Sequence, residues 1–247
     1  MPKPLVAIMP RTRYTSGQVN SMHSEDTSRP LRESMRITSV NIGNAETILH
    51  GGQSMRTGIC KRPIAGSVDV TELGLHGDHV LDSDHHGGPD QAVYAYSTDD
   101  YEWWASETNR DYPAGLFGEN LTIRGLPSDM YVGDRLLIGD LVLEATSARI
   151  PCGTLATRMQ DRGFGQTFRK AERPGIYFRV LNPGPVSSGD SVTLVEGDAG
   201  KVTVLDLFRF AYATSHEADQ LRRWLEAPLA ERVRTKIETT LARLTEA

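Results

Sequence analysis

What this chain lacks narrows its class before any motif is considered. Two cysteines, Cys60 and Cys152, are all that 247 residues contain. That is too few for a disulfide framework, a zinc ribbon or an iron–sulfur cluster. No apolar run approaches the roughly 20 residues of a membrane span. The longest N-terminal one, Leu5 to Met9, is too short for the apolar core of a signal peptide. Basic charge is not in excess either, since 27 Lys and Arg stand against 32 Asp and Glu, a net charge of −5. Neither nucleic acid nor an anionic membrane would attract such a protein, so neither is expected as a partner. A cytoplasmic protein with reduced thiols is the expectation.

What is present divides the chain into three. Hydrophobic residues make up 38% and charged residues 24%, enough apolar material for a folded core. Residues 1–34 differ from the rest: rich in Ser, Arg, Thr and Pro, without periodicity, they carry five basic and three acidic side chains. They read as a flexible leader. From Met35 to about Glu196 short apolar runs alternate with turns, the pattern of a mainly β domain. Strands are expected at Arg36–Val40, Thr47–Leu49, Gln91–Tyr96, Leu121–Ile123, Arg135–Ile138, Leu141–Thr146, Ile176–Leu181 and Ser191–Val195. Gly139-Asp140 between two apolar runs predicts a type II′ hairpin, whose twist matches its strands. One helix is expected from Thr98 to Glu107, capped by Thr98 and with acidic residues at its positive end.

After Gly200 the period becomes helical. Thr203-x-x-Asp206 forms a capping-box pattern. Ser215 is placed to cap a second helix, and a third is expected from Pro228 to about Leu244. The predicted division is therefore a leader (1–34), a β domain (35–198) and a three-helix segment (199–247). Three short helices bury little surface alone and should pack on the β domain.

Three stretches could carry chemistry. Residues 73–93 hold four histidines (His76, His79, His85, His86) and four aspartates (Asp78, Asp82, Asp84, Asp90). These are good zinc or iron ligands, but no ligand-like spacing stands out, and a polar loop with hydrogen-bonded turn residues explains them better. Within this stretch Gly87-Gly88-Pro89-Asp90 forces a tight turn whose free amides suit an anion. Glu119-Asn120 lies in a second turn entering a strand, where the amide either satisfies backbone or faces a ligand. Arg149-Ile150-Pro151-Cys152-Gly153 sets a thiol near a strand end with Arg149 and Arg158 close in sequence, a setting that stabilises a thiolate. A small buried hydrophobe is the alternative for Cys152. A hydrolase pairing of Cys152 with His86 has no supporting signature. Arg169, Lys170, Arg173 and Arg179 form either a solvated face or a clamp for phosphate.

Five pieces in order (GDHVLDSDHHGGPDQAVYAY, FGENLTIRGL, YVGDRLLIGD, ARIPCGTLA and RPGIYFRVLNPGPVSSGDSVTL) resemble the MOSC domain family. That family is named for the C-terminal domain of molybdenum-cofactor sulfurases. The likeness is to its YiiM-like subgroup, in which a three-helix segment follows, and it spans about Met35 to Leu244. The resemblance implies a MOSC-type β-barrel and a cleft for the molybdenum cofactor, a phosphorylated molybdopterin carrying the metal. By resemblance Cys152 is the catalytic residue and metal ligand, with His86, Gly87, Gly88, Asp90, Glu119, Asn120, Arg149 and Arg173 lining the cofactor pocket. The sequence departs from the family at Gln91, where many relatives have Lys or Arg, and at Ala148, where many have Pro. The activity implied is reduction of small N-hydroxylated compounds such as 6-hydroxylaminopurine. No flavin fingerprint is present, so electrons would come from a separate reductase. The alternative implied is a sulfur carrier or cofactor-delivery protein holding a persulfide on Cys152.

Overall fold

The structure, a computed structural model, describes residues 35–81, 87–197 and 202–246. The leader expected at 1–34 lies outside them, as do His85 and His86. Among the described residues the strands are β1 (Arg36–Gly43), β2 (Glu46–His50), β3 (Gln53–Thr57), β4 (Lys61–Pro63), β5 (Val68–Thr71), β6 (Gly74–Leu75) and β7 (Val93–Ser97). They continue with β8 (Leu121–Arg124), β9 (Arg135–Ile138), β10 (Leu141–Ala148), β11 (Ile176–Asn182), β12 (Gly184–Val186) and β13 (Thr193–Val195). The helices are α1 (Thr98–Thr108), α2 (Gly153–Arg158), α3 (Phe164–Ala171), α4 (Val204–Phe210), α5 (Ala218–Trp224) and α6 (Glu231–Glu246).

Eight strands form one sheet in the order β13-β9-β10-β11-β7-β8-β1-β4, with β12-β5-β6 and the hairpin β2-β3 as smaller sheets. The β9–β10 hairpin turns as predicted: Gly139 has φ 56° while Asp140 is not left-handed, the type II′ pattern. Pairing is antiparallel except for β7 and β8, which are parallel. Parallel neighbours need a crossover, and α1 supplies it. Its Tyr101 and Trp104 are buried, as is Phe117, and they meet Tyr96 and Phe117 in an aromatic cluster. Ser97 rather than Thr98 caps α1, its hydroxyl accepting from the Asp99 amide.

No closed barrel is found among the described residues. Closure needs an unbroken ladder between first and last strands. Here the strand order ends at β13 and β4, while the start of β1 meets the segment entering β13 at the Arg36–Ser191 bridge and through the Val192 amide, which donates to the Met35 carbonyl at 2.9 Å. Hydrogen bonds from the Ile37 amide to the Asp190 carbonyl (2.9 Å) and from the Gly189 amide to the Ile37 carbonyl (2.8 Å) flank the bridge.

The helical segment is built partly as expected. Thr203 and Asp206 form a complete capping box on α4. Ser215 does not cap α5, whose N-cap residue is Glu217, and α6 begins at Glu231, beyond Pro228. Leu207, Phe210, Leu221, Trp224, Leu229 and Ile237 form a second core with Val132 of the β region. Val204 and Phe208 join the main core instead. The helices therefore share both cores with the sheet.

Candidate functional site

A cleft of about 110 Å³, open to solvent, lies where β10, β11, β7 and the approach to β8 converge, with the β2–β3 hairpin and the segment after it forming one wall. Tyr94 comes from β7, Tyr177 from β11, Asn120 from the residue before β8, and Arg149 and Cys152 from the chain leaving β10. Gly87, Gln91 and Ala92 line another side, and Met55 to Ile59 the hairpin side. Among the described lining residues the charged groups are Arg56, Lys61 and Arg149, and no Asp or Glu lines the cleft. Lys61 is neutralised by Asp78, so Arg56 and Arg149 are the cations that give the described lining its positive potential.

Cys152 is half-buried. It caps the N-terminal end of α2 through its backbone, its carbonyl accepting from the Leu155 amide at 3.1 Å and the Ala156 amide at 3.3 Å. Gly153 follows because a Cβ there would come within 2.8 Å of the His50 ring. That ring is itself hydrogen-bonded to Thr157 Oγ1 at 2.7 Å. The hairpin and α2 thus lock together beside the thiol.

Arg149 is 5% exposed. It donates to the Tyr177 hydroxyl at 3.2 Å and lies 5.1 Å from the Tyr94 ring centroid. Burial works against its charge, but Tyr177, Tyr94 and the Cys152 sulfur together raise its proton affinity above the ordinary guanidinium value. Its Nε is buried with no hydrogen-bond partner among the described residues. Burial pushes the Tyr94 phenol well above its ordinary value, so it stays protonated and donates to the Pro174 carbonyl at 2.8 Å.

Lys61 and Asp78 form a buried ion pair at the cleft's edge, with side chains 8% and 6% exposed. Burial lowers the Lys61 pKa, and Asp78 opposes that shift. Asp78 also accepts from Asn120 Nδ2 at 2.9 Å and from the Gly43 amide at 2.8 Å. Asn120 Oδ1 accepts from the Tyr94 amide at 3.2 Å. Asn120 therefore ties β7 to the ion pair and also lines the cleft.

Of the residues expected to line the pocket, Cys152, Gly87, Asn120 and Arg149 meet in this cleft. Gly87 and Gly88 have φ of 72° and 81°, and at Gly87 a Cβ would also sit 2.9 Å from Val80 Cγ1. Gly88 is exposed and turns the chain without lining the cleft. Glu119 lies behind the wall, fully buried. Its Oε1 accepts from the Tyr101 hydroxyl (2.6 Å), the Gly115 amide (2.6 Å) and the Thr122 hydroxyl (2.8 Å). Asp90 points away to Arg179 and α6. Arg173 faces a different cleft, beside Leu126 and Asp129, where it pairs with Asp100 and stacks 4.5 Å from the Trp103 ring centroid. His86 lies outside the described residues. His76 is exposed, while His79 lines the cleft rim. Among the described residues no group of three or more His, Cys, Asp or Glu could hold a metal ion. Lys61, Tyr94 and Tyr177 were not foreseen as site residues, and Asp78 only as part of the His- and Asp-rich stretch; Tyr94 and Tyr177 sit in continuously buried stretches of β7 and β11, where packing is the simpler expectation.

Comparison with known proteins shows the family. Residues 82–193 match the MOSC domain and residues 202–244 the YiiM-like 3-alpha helix domain. YflK of Bacillus subtilis is 31% identical over 202 residues, covering 81% of this chain and 91% of that protein. YiiM of Escherichia coli is 32% identical over 173 residues, covering 68% of this chain and 77% of that protein. A Gibberella moniliformis protein named Reductase is 30% identical over 186 residues, covering 73% of this chain and 33% of that protein. The crystal structure of YiiM from Geobacillus stearothermophilus superposes with a TM-score of 0.70 at 28% identity, over 84% of this chain and 99% of that one. The chain belongs to the MOSC domain family. Its C-terminal helices put it in the YiiM-like subgroup of that family.

Proposed function

We propose that this protein is a molybdenum-cofactor-dependent reductase of small N-hydroxylated compounds that works with a separate electron donor in the cytoplasm. The observation that carries the reading is the cleft: a cysteine in the wall of a concavity whose described lining holds Arg56 and Arg149, with Lys61 paired to Asp78 at its edge. Such a lining selects an anionic ligand, and the thiolate is a soft metal ligand. The name Reductase borne by one relative is consistent with it.

The residues present fit the molybdenum cofactor. The buried Nε of Arg149 has no partner among the described residues, and a buried donor calls for an acceptor. Cys152 would ligate the metal, while Arg149, Arg56 and the amide of Gly87 would hold phosphate and pterin. When bound, this group supplies a redox centre that takes electrons from the donor and oxygen from the substrate. Reducing R–NHOH to R–NH2 consumes two electrons and two protons and releases water. Arg149 and the Tyr177 hydroxyl, hydrogen-bonded to one another, orient the anionic ligand beside the thiol. Asn120 and the Lys61–Asp78 pair keep that wall in register. A chain with two cysteines and no flavin fingerprint needs an outside electron source.

The test is turnover of 6-hydroxylaminopurine by the full chain, purified from a host with an intact molybdopterin pathway and supplied with chemical reductant. Wild type is expected to form the amine. Cys152→Ala should form none while keeping its circular dichroism and melting temperature. Turnover by Cys152→Ala would refute the proposal.

A further inference from the structure

Asp90 sits two residues beyond Gly88, in the turn that carries Gly87, Gln91 and Ala92 to the cleft. Its carboxylate faces the helical segment instead. Oδ1 pairs with Arg179, at 3.0 Å from Nε and 2.8 Å from Nη2. Oδ2 accepts from the backbone amide of Glu231, the first residue of α6, at 2.8 Å. That amide, like the other amides of the first turn, has no partner within the helix. Asp90 supplies one from across the fold.

The surrounding bonds extend this connection on both sides. Arg179 also donates to the Leu229 carbonyl at 3.0 Å and to Glu144 Oε1 at 3.2 Å. Thr146 donates from Oγ1 to the Asp90 carbonyl at 2.6 Å and accepts from the Ala230 amide at 3.2 Å. Arg232, in the first turn of α6, donates to Gln91 Oε1 at 3.2 Å. Gln91 and Ala92 line the cleft, so the start of α6 and one cleft wall share a single hydrogen-bonded connection. A Lys or Arg at position 91 would confront Arg232 with a like charge.

We infer that Asp90 is a positioning residue, through which the C-terminal helices hold the Gly87–Ala92 wall and so set the cleft's affinity for its ligand. The proposal rests on the reading above only for the ligand's identity. The wall itself is tested without ligand.

The experiment is amide hydrogen exchange on the full-length protein, comparing residues 87–93 and 230–235 with β8 as internal control. In Asp90→Ala both segments should exchange about five- to tenfold faster, as loss of a helix cap implies, with β8 unchanged. Asp90→Asn keeps an oxygen for the Glu231 amide, so it should restore protection at 230–235 but not fully at 87–93. Gln91→Lys, which leaves the cap intact, should also raise exchange at 87–93, and adding Arg232→Glu should reverse it. Molybdenum per chain should fall in Asp90→Ala and in Gln91→Lys relative to wild type. Faster exchange confined to 230–235, with 87–93 unmoved in every variant, would reduce Asp90 to a helix cap and overturn the proposal. Molybdenum absent from wild type as well would count against the cofactor and leave the exchange result standing.

Discussion

Single residues in this protein hold more than one element at a time. Arg158 is an example: its guanidinium donates to the carbonyls of Leu116, Lys61 and Gly115 at 2.9, 3.0 and 3.2 Å, tying α2 to two other segments. Glu119 is the strongest case, because three donors share Oε1 while Oε2 is buried with no partner among the described residues. Burial, opposed by those donors, raises its pKa above the ordinary 4.5. A folded carboxyl that holds its proton more tightly than the unfolded chain adds stability below the ordinary value. That contribution disappears as pH rises through the raised folded value. Glu119→Gln, which cannot titrate, should therefore lose part of the pH dependence. The stability gap between wild type and Glu119→Gln, measured by urea unfolding, should shift in favour of the variant from pH 4.5 to pH 7. A gap independent of pH would show that the buried carboxyl is not perturbed in the folded state.

At the scale of elements, the capping box of α4 is the clearest local device. Thr203 Oγ1 accepts from the Asp206 amide at 3.0 Å, and Asp206 Oδ2 accepts from the Thr203 amide at 3.0 Å. Thr203→Ala should cost about 1 kcal/mol, read as a lower urea midpoint with an unchanged slope. No change in midpoint would mean that Val204 and Phe208, packed into the main core, fix α4 without it. Elements governed by local chemistry were legible in the sequence: the Gly139 hairpin, this capping box, and strands such as β10 with their apolar runs. Helices α2 and α3 were not read as helices. Gly153, Gly163 and Gly165 interrupt their pattern, and the burial of Phe164 and Phe168 in the aromatic cluster is a tertiary effect. The caps at Ser97 and on α6 were missed for related reasons. One lies a residue earlier than the pattern suggests, and the other comes from Asp90, 141 positions away.

For the molecule as a whole, the site is a product of topology. Lys61, Asp78, Tyr94, Asn120, Arg149, Cys152 and Tyr177 come from separate strands and connections, and only the sheet order β10-β11-β7-β8 brings them together. The thiol, its arginine and the two turns could be singled out from the chain, because glycine, proline and cysteine mark local geometry. The assignment of Arg173 to the pocket could not be judged there, since its direction depends on Asp100 and Trp103 across the fold. The pairing of the start of β1 with the segment entering β13 likewise joins residues about 150 positions apart, which no local run encodes.

The central claim, that a thiol in a cationic cleft holds a molybdenum centre, is tested most directly by metal and pterin analysis of the full chain beside Cys152→Ala. Both should come from a host able to make the cofactor. Near-stoichiometric molybdenum and pterin in wild type, with the metal lost from Cys152→Ala, is the result this account predicts. Wild type without molybdenum or pterin, or carrying a labile sulfur on Cys152 in their place, would contradict it.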